Sequence, residues 1–234
     1  MKEIRINSFS EFHEAIHNIP PDAGVGVYRG VLKSSYELIP SVGRLLPLFQ
    51  KNGFTQDDLL RDERITFNEF RDHSISLTDK TPRNKWEVLA LAQHHGLPTR
   101  LLDWTRNALV ALYFAGEKFY DTDCAVYVFK GDKIKVHVPD DNGDPLKHPN
   151  LVAYLPPHIS PRITAQSGLF TLHPRPFEAF DDDQITKIII PARIRKSLTR
   201  TLSIYGVNPR SIFPDLDGLT QWLKTNYFSF ELLD

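Results

Sequence analysis

The 234-residue chain is 41% hydrophobic, 24% charged and 11% aromatic, which excludes a disordered, collagenous or coiled-coil protein and suffices for a single domain spanning residues 1–234. Lys and Arg number 28 against 29 Asp and Glu, a formal charge of -1, so no global positive field recommends nucleic acid or an anionic membrane, while a local basic face stays open. The one cysteine, Cys124, rules out a disulfide framework, and with no apolar leader or membrane span in view a cytoplasmic protein or a processed effector is expected.

Residues 8–19 set Phe12, Ala15, Ile16 and Ile19 at helical spacing with Ser10 as cap, an amphipathic helix that ends before Pro20 and Pro21. It leads into a short strand from Gly24 to Gly30 that carries Val25, Val27, Tyr28 and Arg29. Pro40, Gly43 and Pro47 make residues 36–48 a loop, and residues 55–73 read as a helix. Further helices are expected over Lys85 to His95, stopped by Gly96 and Pro98, and over Asn107 to Phe119; the segment between them reads as a polar turn. Cys124 to Lys130 is a buried strand, and Asp140 to Lys147 a surface loop. Strands at Gly168 to Leu172 and Thr186 to Pro191, a helix at Arg193 to Tyr205, a turn at Ser211 to Gly218 and a helix at Leu219 to Thr225 complete the chain. This order is α+β, with helices packed around a central, mostly antiparallel sheet.

Three segments concentrate chemistry. In Tyr28-Arg29-Gly30 a guanidinium leaves a strand end beside a glycine that removes bulk, which suits bidentate contact with a phosphate or ribose as well as it suits a surface ion pair. The run from Gln93 to Thr105 packs amide, imidazole, guanidinium, carboxylate, indole and hydroxyl groups together. There Asp103 can pair with Arg100, Thr105 can cap the next helix, and Trp104 can stack on a planar ligand or serve as core. Adjacent His94 and His95 diverge on a helix, so no metal site is expected, and Cys124 at the start of an apolar strand should be inert. In the third segment Arg162 and Gln166 stand four apart before Gly168; the Gln166 amide can hold a sugar hydroxyl or water but is no base.

Tyr28-Arg29-Gly30, the string from Gln93 to Thr105, the run from Gln166 to Phe170 and the passage from Phe213 to Gly218 together resemble the FRG domain, named for its Phe/Tyr-Arg-Gly motif, from about Tyr28 to Trp222. A more distant likeness is to the ADP-ribosyltransferase superfamily. Arg29 is similar to the arginine of that superfamily's first strand. Asp103-Trp104-Thr105 followed by Ala111-Leu112-Tyr113-Phe114-Ala115 resembles its next element, and Gln166 falls near its catalytic Glu.

That likeness implies a split sheet and NAD as substrate. Arg29, Gln166 and Asp103 would do the chemistry, and Tyr28, Gly30, His95, Arg100, Trp104, Thr105 and Arg162 would hold the dinucleotide. ADP-ribose would pass to a nucleic acid or protein, as in a bacterial toxin or phage-defence effector with an antitoxin or immunity partner. Gln166 in place of Glu favours NAD hydrolysis, or leaves the charge to Asp103, Glu178 or Asp215. The rival classes are a non-catalytic module that binds a nucleotide or a phosphorylated partner and, ranked last, a nuclease using His95 and Asp103 as acid and base.

Overall fold

Eight strands hydrogen-bond into one mixed sheet in the computed structural model, which describes residues 1–19, 26–78, 81–118, 121–130, 134–139, 143–157 and 165–228. They are β1 (Lys2–Arg5), β2 (Val27–Val31), β3 (Leu101–Thr105), β4 (Cys124–Phe129), β5 (Val136–His137), β6 (Val152–Tyr154), β7 (Gly168–Leu172) and β8 (Ile185–Ile190). Their order across the sheet is β1-β8-β4-β2-β3-β7-β6-β5. Only the β1–β8 and β5–β6 pairs are parallel. The expected α+β class and mostly antiparallel sheet are therefore present.

The sheet is weakest at its centre. β2 is in register with β4 from Val27 to Val31, and β3 with β7 from Leu101 to Thr105, yet β2 meets β3 at one rung alone, Tyr28 opposite Thr105. Two half-sheets thus part along β2 and β3, and backbone groups in the gap need other partners.

Helices cover both faces: α1 (Phe9–Asn18), α2 (Leu46–Lys51), α3 (Gln56–Ser74), α4 (Lys85–His94), α5 (Ala108–Gly116), α6 (Ala192–Ile204), α7 (Pro209–Ile212) and α8 (Leu216–Tyr227). All but α2 and α6, which start after Leu45 and Pro191, begin at short polar residues that accept orphan N–H groups. Ser8, not Ser10, caps α1 by accepting from the Glu11 N–H, and Thr55 forms a reciprocal capping box with Asp58 at α3. Asn84 and Asn107 cap α4 and α5, and Asp215 caps α8 by accepting from the Gly218 N–H.

One core layer joins α1, α5, α6 and α7 to the sheet through residues such as Phe12, Leu112, Val126, Ile188 and Leu202. On the other side Val27, Leu102, Trp104, Phe129, Phe180 and Ile185 pack together. A third cluster seats α3 and α4, through Phe67, Trp86 and Leu89, on Phe170 and Leu172 of β7. β2 and α5 approach closely: a Cβ on Gly30 would lie 2.0 Å from the Ala111 carbonyl oxygen and 2.6 Å from the Ala115 nitrogen. Gly30 thus exists for the helix, a different reason from room for a ligand.

Several expectations need correction. β1 was not expected, nor was β3, whose segment was read as a turn between helices. The loop expected over residues 36–48 gives way at its end to α2. Val25, Arg162 and residues 140–142 of the loop expected at residues 140–147 lie outside the described residues, and Pro145–Lys147 of that loop forms a 3-10 turn.

Candidate functional site

The parting of β2 from β3 opens a cleft of about 370 Å³. Tyr28, Arg29 and Gly30 of β2 line it, as do Asp103, Trp104 and Thr105 of β3. α4 contributes Gln93 and His94, α5 contributes Phe114 and Glu117 from its end, and Gln166 and Phe213 close the remaining side. Its volume lies at the small end of the range for ligand pockets.

Residues alternate across a strand, so Tyr28 and Gly30 face α5 while Arg29 leaves the opposite side beside its register partner Tyr127. The Arg29 side chain then turns into the gap. Its Nη1 donates to the Asp103 carbonyl at 2.7 Å and to the Asp103 carboxylate at 3.2 Å. Nε and Nη2 have no protein acceptor among the described residues, so part of the guanidinium fork remains for an anion. Arg44 stands near this pair; desolvation first, and repulsion from Arg29 second, lower its pKa, while Asp103 and Tyr36 oppose the shift.

The carboxylate of Asp103 is held from a second side. Gln93 Nε2 donates to it at 2.8 Å, the Thr99 hydroxyl donates to Gln93 Oε1 at 2.6 Å, and the Ser41 hydroxyl accepts from the Thr99 N–H at 2.9 Å. This relay fixes the orientation of Asp103 from the loop before α2, through α4, to β3.

Thr105 and Gln166 meet, but differently from the sequence expectation. The Thr105 hydroxyl accepts from the Asn107 N–H and donates to the Gln166 main-chain carbonyl at 2.6 Å, while Asn107, not Thr105, caps α5. The Gln166 side-chain amide donates to the Ile212 carbonyl at 3.4 Å. Ser167 adopts a positive φ of 49° as the chain turns into β7.

Three expected ligand contacts are corrected. Trp104 is 3% exposed, its ring packs near Phe129 and Phe180, and its Nε1 donates to the Thr171 hydroxyl at 2.9 Å, so it is core and does not present a stacking face. Tyr28, Phe114 and Phe213 supply the aromatic wall in its place. Arg100 is 5% exposed and pairs with Glu63 through Nε at 3.0 Å and through Nη2, while Nη1 donates to the Leu146 carbonyl at 2.9 Å. It neither touches the cleft nor pairs with Asp103. His95 is exposed outside the cleft and His94 lines it, so the acid-base pairing of His95 with Asp103 is not assembled.

Of the alternative carboxylates, Glu178 pairs with Arg175 and Asp215 is spent as a helix cap; neither lines the cleft. Glu117, which sequence reasoning missed, does. Burial raises its pKa, with Lys118 opposing the shift. Its place is fixed from α6: Arg195 is 1% exposed and donates to the Ala115 carbonyl at 2.8 Å, to that of Lys118 and to that of Thr122 at 3.0 Å, closing the C-terminal end of α5. A signal was present, because Glu117 follows Phe114 by three residues and shares its helix face.

Burial pushes the Cys124 thiol up to about 11, which leaves it a poor nucleophile. Among the described residues no group of three or more His, Cys, Asp or Glu could hold a metal ion, and no helix is long and apolar enough to cross a membrane.

Residues 25–124 match the family model of the FRG domain, so the chain carries an FRG domain over that span, which includes Tyr28-Arg29-Gly30 and the string from Gln93 to Thr105. No curated protein matches the chain, and no solved structure does.

Proposed function

With an FRG domain in this place, we propose that the cleft binds NAD and that the protein is an ADP-ribosyltransferase-like enzyme, passing ADP-ribose to a macromolecule and, in its absence, to water. The observation that carries this reading is that Arg29, Thr105 and Gln166, drawn from distant parts of the chain, line one cleft together with two carboxylates, Asp103 and Glu117.

Each wall suits a part of the dinucleotide. The free edge of the Arg29 guanidinium fits a diphosphate, whose two oxygens match its fork. Tyr28, Phe114 and Phe213 offer aromatic surface for nicotinamide. When the bond from ribose C1′ to the nicotinamide nitrogen breaks, its electron pair leaves with the neutral ring and positive charge develops on the ribose. Asp103, held in place by Gln93 and Arg29, and Glu117 supply negative charge at that centre. A nucleophile then bonds to C1′ and loses its proton, which Glu117 is suited to accept because its raised pKa makes it a stronger base than an ordinary glutamate. Glu117 thereby fills the role that Gln166, with its amide turned to Ile212, leaves open.

The proposal extends to a toxin or phage-defence effector whose host keeps an antitoxin or immunity partner. Nicotinamide release from labelled NAD tests the chemistry. Arg29→Ala and Glu117→Gln are each expected to cut turnover by about 100-fold or more, the range for losing one charge-stabilising or proton-transferring group. NAD turnover unchanged in Arg29→Ala would remove the reading, and binding of NAD without nicotinamide release would favour a non-catalytic module.

A further inference from the structure

A second cavity, about 570 Å³, lies between α6 and α8. Arg193, Lys196 and Arg200 of α6 line it at a spacing of three and four residues, so they share one helix face. No acidic side chain is among its lining residues, and α6 itself contains none. Lys196 and Arg200 are exposed and form no ion pair among the described residues, while Arg193 donates to the neutral Asn7 amide. In a chain of formal charge -1, three cations gathered on one face without a counter-charge repel one another and form a local positive field.

The floor adds a different chemistry. Trp222 of α8 is half-buried in this cavity, and the Arg210 guanidinium stands over its ring, 5.5 Å from the centroid. Cations account for an anionic partner, and the indole favours one that also carries planar rings to stack on it. A cationic track with an aromatic platform suits single-stranded nucleic acid, whose phosphates meet the charges and whose bases stack. From Arg193 to Arg200 the cations span roughly 10 Å of helix, more than one phosphate covers. A duplex keeps its bases stacked internally and cannot offer one to Trp222.

The cavity also backs onto the Arg29 cleft. Tyr113 lines the first and Phe114 the second; their rings lie 5.7 Å apart, and both pack against Phe213 at 6.4 and 6.1 Å. We infer that the α6–α8 cavity binds single-stranded nucleic acid and so brings it to the wall of the Arg29 cleft. Its service as acceptor there rests on the NAD reading; its binding does not.

Fluorescence provides the test, because Trp86 and Trp104 are 1% and 3% exposed and Trp222 is the remaining tryptophan. Oligouridylate or oligothymidylate of about a dozen nucleotides is expected to quench it, with affinity falling with salt at a log-log slope of about -2 for three phosphates on a single strand. The double variant Lys196→Glu/Arg200→Glu is expected to lose at least about 10-fold in affinity while still hydrolysing NAD in water. The exposed single change Arg200→Gln guards against a folding loss and should weaken binding several-fold. Arg29→Ala is expected to bind the oligonucleotide as wild type does, which separates failure here from failure of the NAD reading. Absence of quenching, unchanged affinity in the charge variants, or tighter binding of duplex, polyglutamate or phosphatidylserine vesicles would overturn the inference.

Discussion

Arg29 Nη1 donates to the main-chain carbonyl of Asp103 at 2.7 Å, in the gap where β2 and β3 have ceased to pair as strands. A side chain thereby stands in for a missing rung of the ladder, and the same guanidinium holds the Asp103 carboxylate at 3.2 Å. Opening the sheet creates the cleft, and the residue that tolerates the opening is the one left facing it with donors to spare.

The first prediction concerns that double duty. Arg29→Lys keeps the charge but not the planar fork, so ADP-ribose affinity measured by calorimetry is expected to fall by about 10-fold or more, a loss on the scale of one charge-assisted hydrogen bond. Melting temperature should move little, because the Asp103 side chain is 53% exposed and such pairs contribute under about 1 kcal/mol. Equal affinity in Arg29→Lys would show that charge alone is used.

Gly30→Ala should be far more damaging than its size suggests. The added methyl would meet the Ala111 carbonyl at 2.0 Å and the Ala115 nitrogen at 2.6 Å, both backbone atoms of α5 that no side-chain rotation can move. A loss of about 3 kcal/mol or more in urea unfolding is expected, along with loss of NAD turnover as α5 carries Phe114 and Glu117 away.

Much of the frame was legible because apolar spacing, glycine stops and the apolar run from Cys124 to Phe129 are local signals, whereas both caps read from the sequence moved, from Ser10 to Ser8 and from Thr105 to Asn107. β3 was not, and the reason is physical. Leu101 and Leu102 are both buried because the strand is covered on its two faces, so no polar alternation marks it. β1 was hidden by its charges, which suit an edge strand. At the site, residue types were read correctly but their partners were not: Arg100 and Asp103 lie three apart in sequence yet pair with Glu63 and Arg29, because a strand sends neighbouring side chains to different surroundings. Trp104 shows the same limit, since nothing local distinguishes an indole aimed at a ligand from one donating to Thr171.

The buried Arg100–Glu63 pair yields a stability prediction. Arg100→Met strands the Glu63 carboxylate in the core and leaves the Leu146 carbonyl unpartnered, a cost of about 3–5 kcal/mol. The double variant Arg100→Met/Glu63→Met should recover most of it, since two apolar side chains of similar length need no counter-charge. In both proteins ADP-ribose affinity per folded molecule is expected to match wild type, because Arg100 lies outside the cleft. A selective loss of affinity in the well-folded double variant would return Arg100 to the site.

Glu117 predicts the pH profile of the proposed reaction. Burial favours its neutral form, so a base of this kind gains activity as pH rises through a pKa above the usual carboxylate range. Turnover followed from acid to neutral pH should show that limb in wild type and lose it in Glu117→Gln, with the residual rate flat. A limb that persists in the variant would assign the proton transfer elsewhere.

His173 is expected to make the fold sensitive to acid. It is 5% exposed, its Nε2 lies 2.8 Å from the Thr171 hydroxyl that also accepts the Trp104 indole N–H, and burial, with Arg29 second, lowers its pKa to about 3. The unfolded chain takes up this proton near pH 6.5 and the folded protein does so only near 3, so between those values the unfolded state binds more protons and acid destabilises the fold. The slope is at most about 1.4 kcal/mol per pH unit from this one group. His173→Gln preserves a partner for Thr171 but cannot titrate, so its urea midpoint should fall less steeply than wild type between pH 6 and pH 4. Parallel slopes in the two proteins would mean that other groups govern acid unfolding.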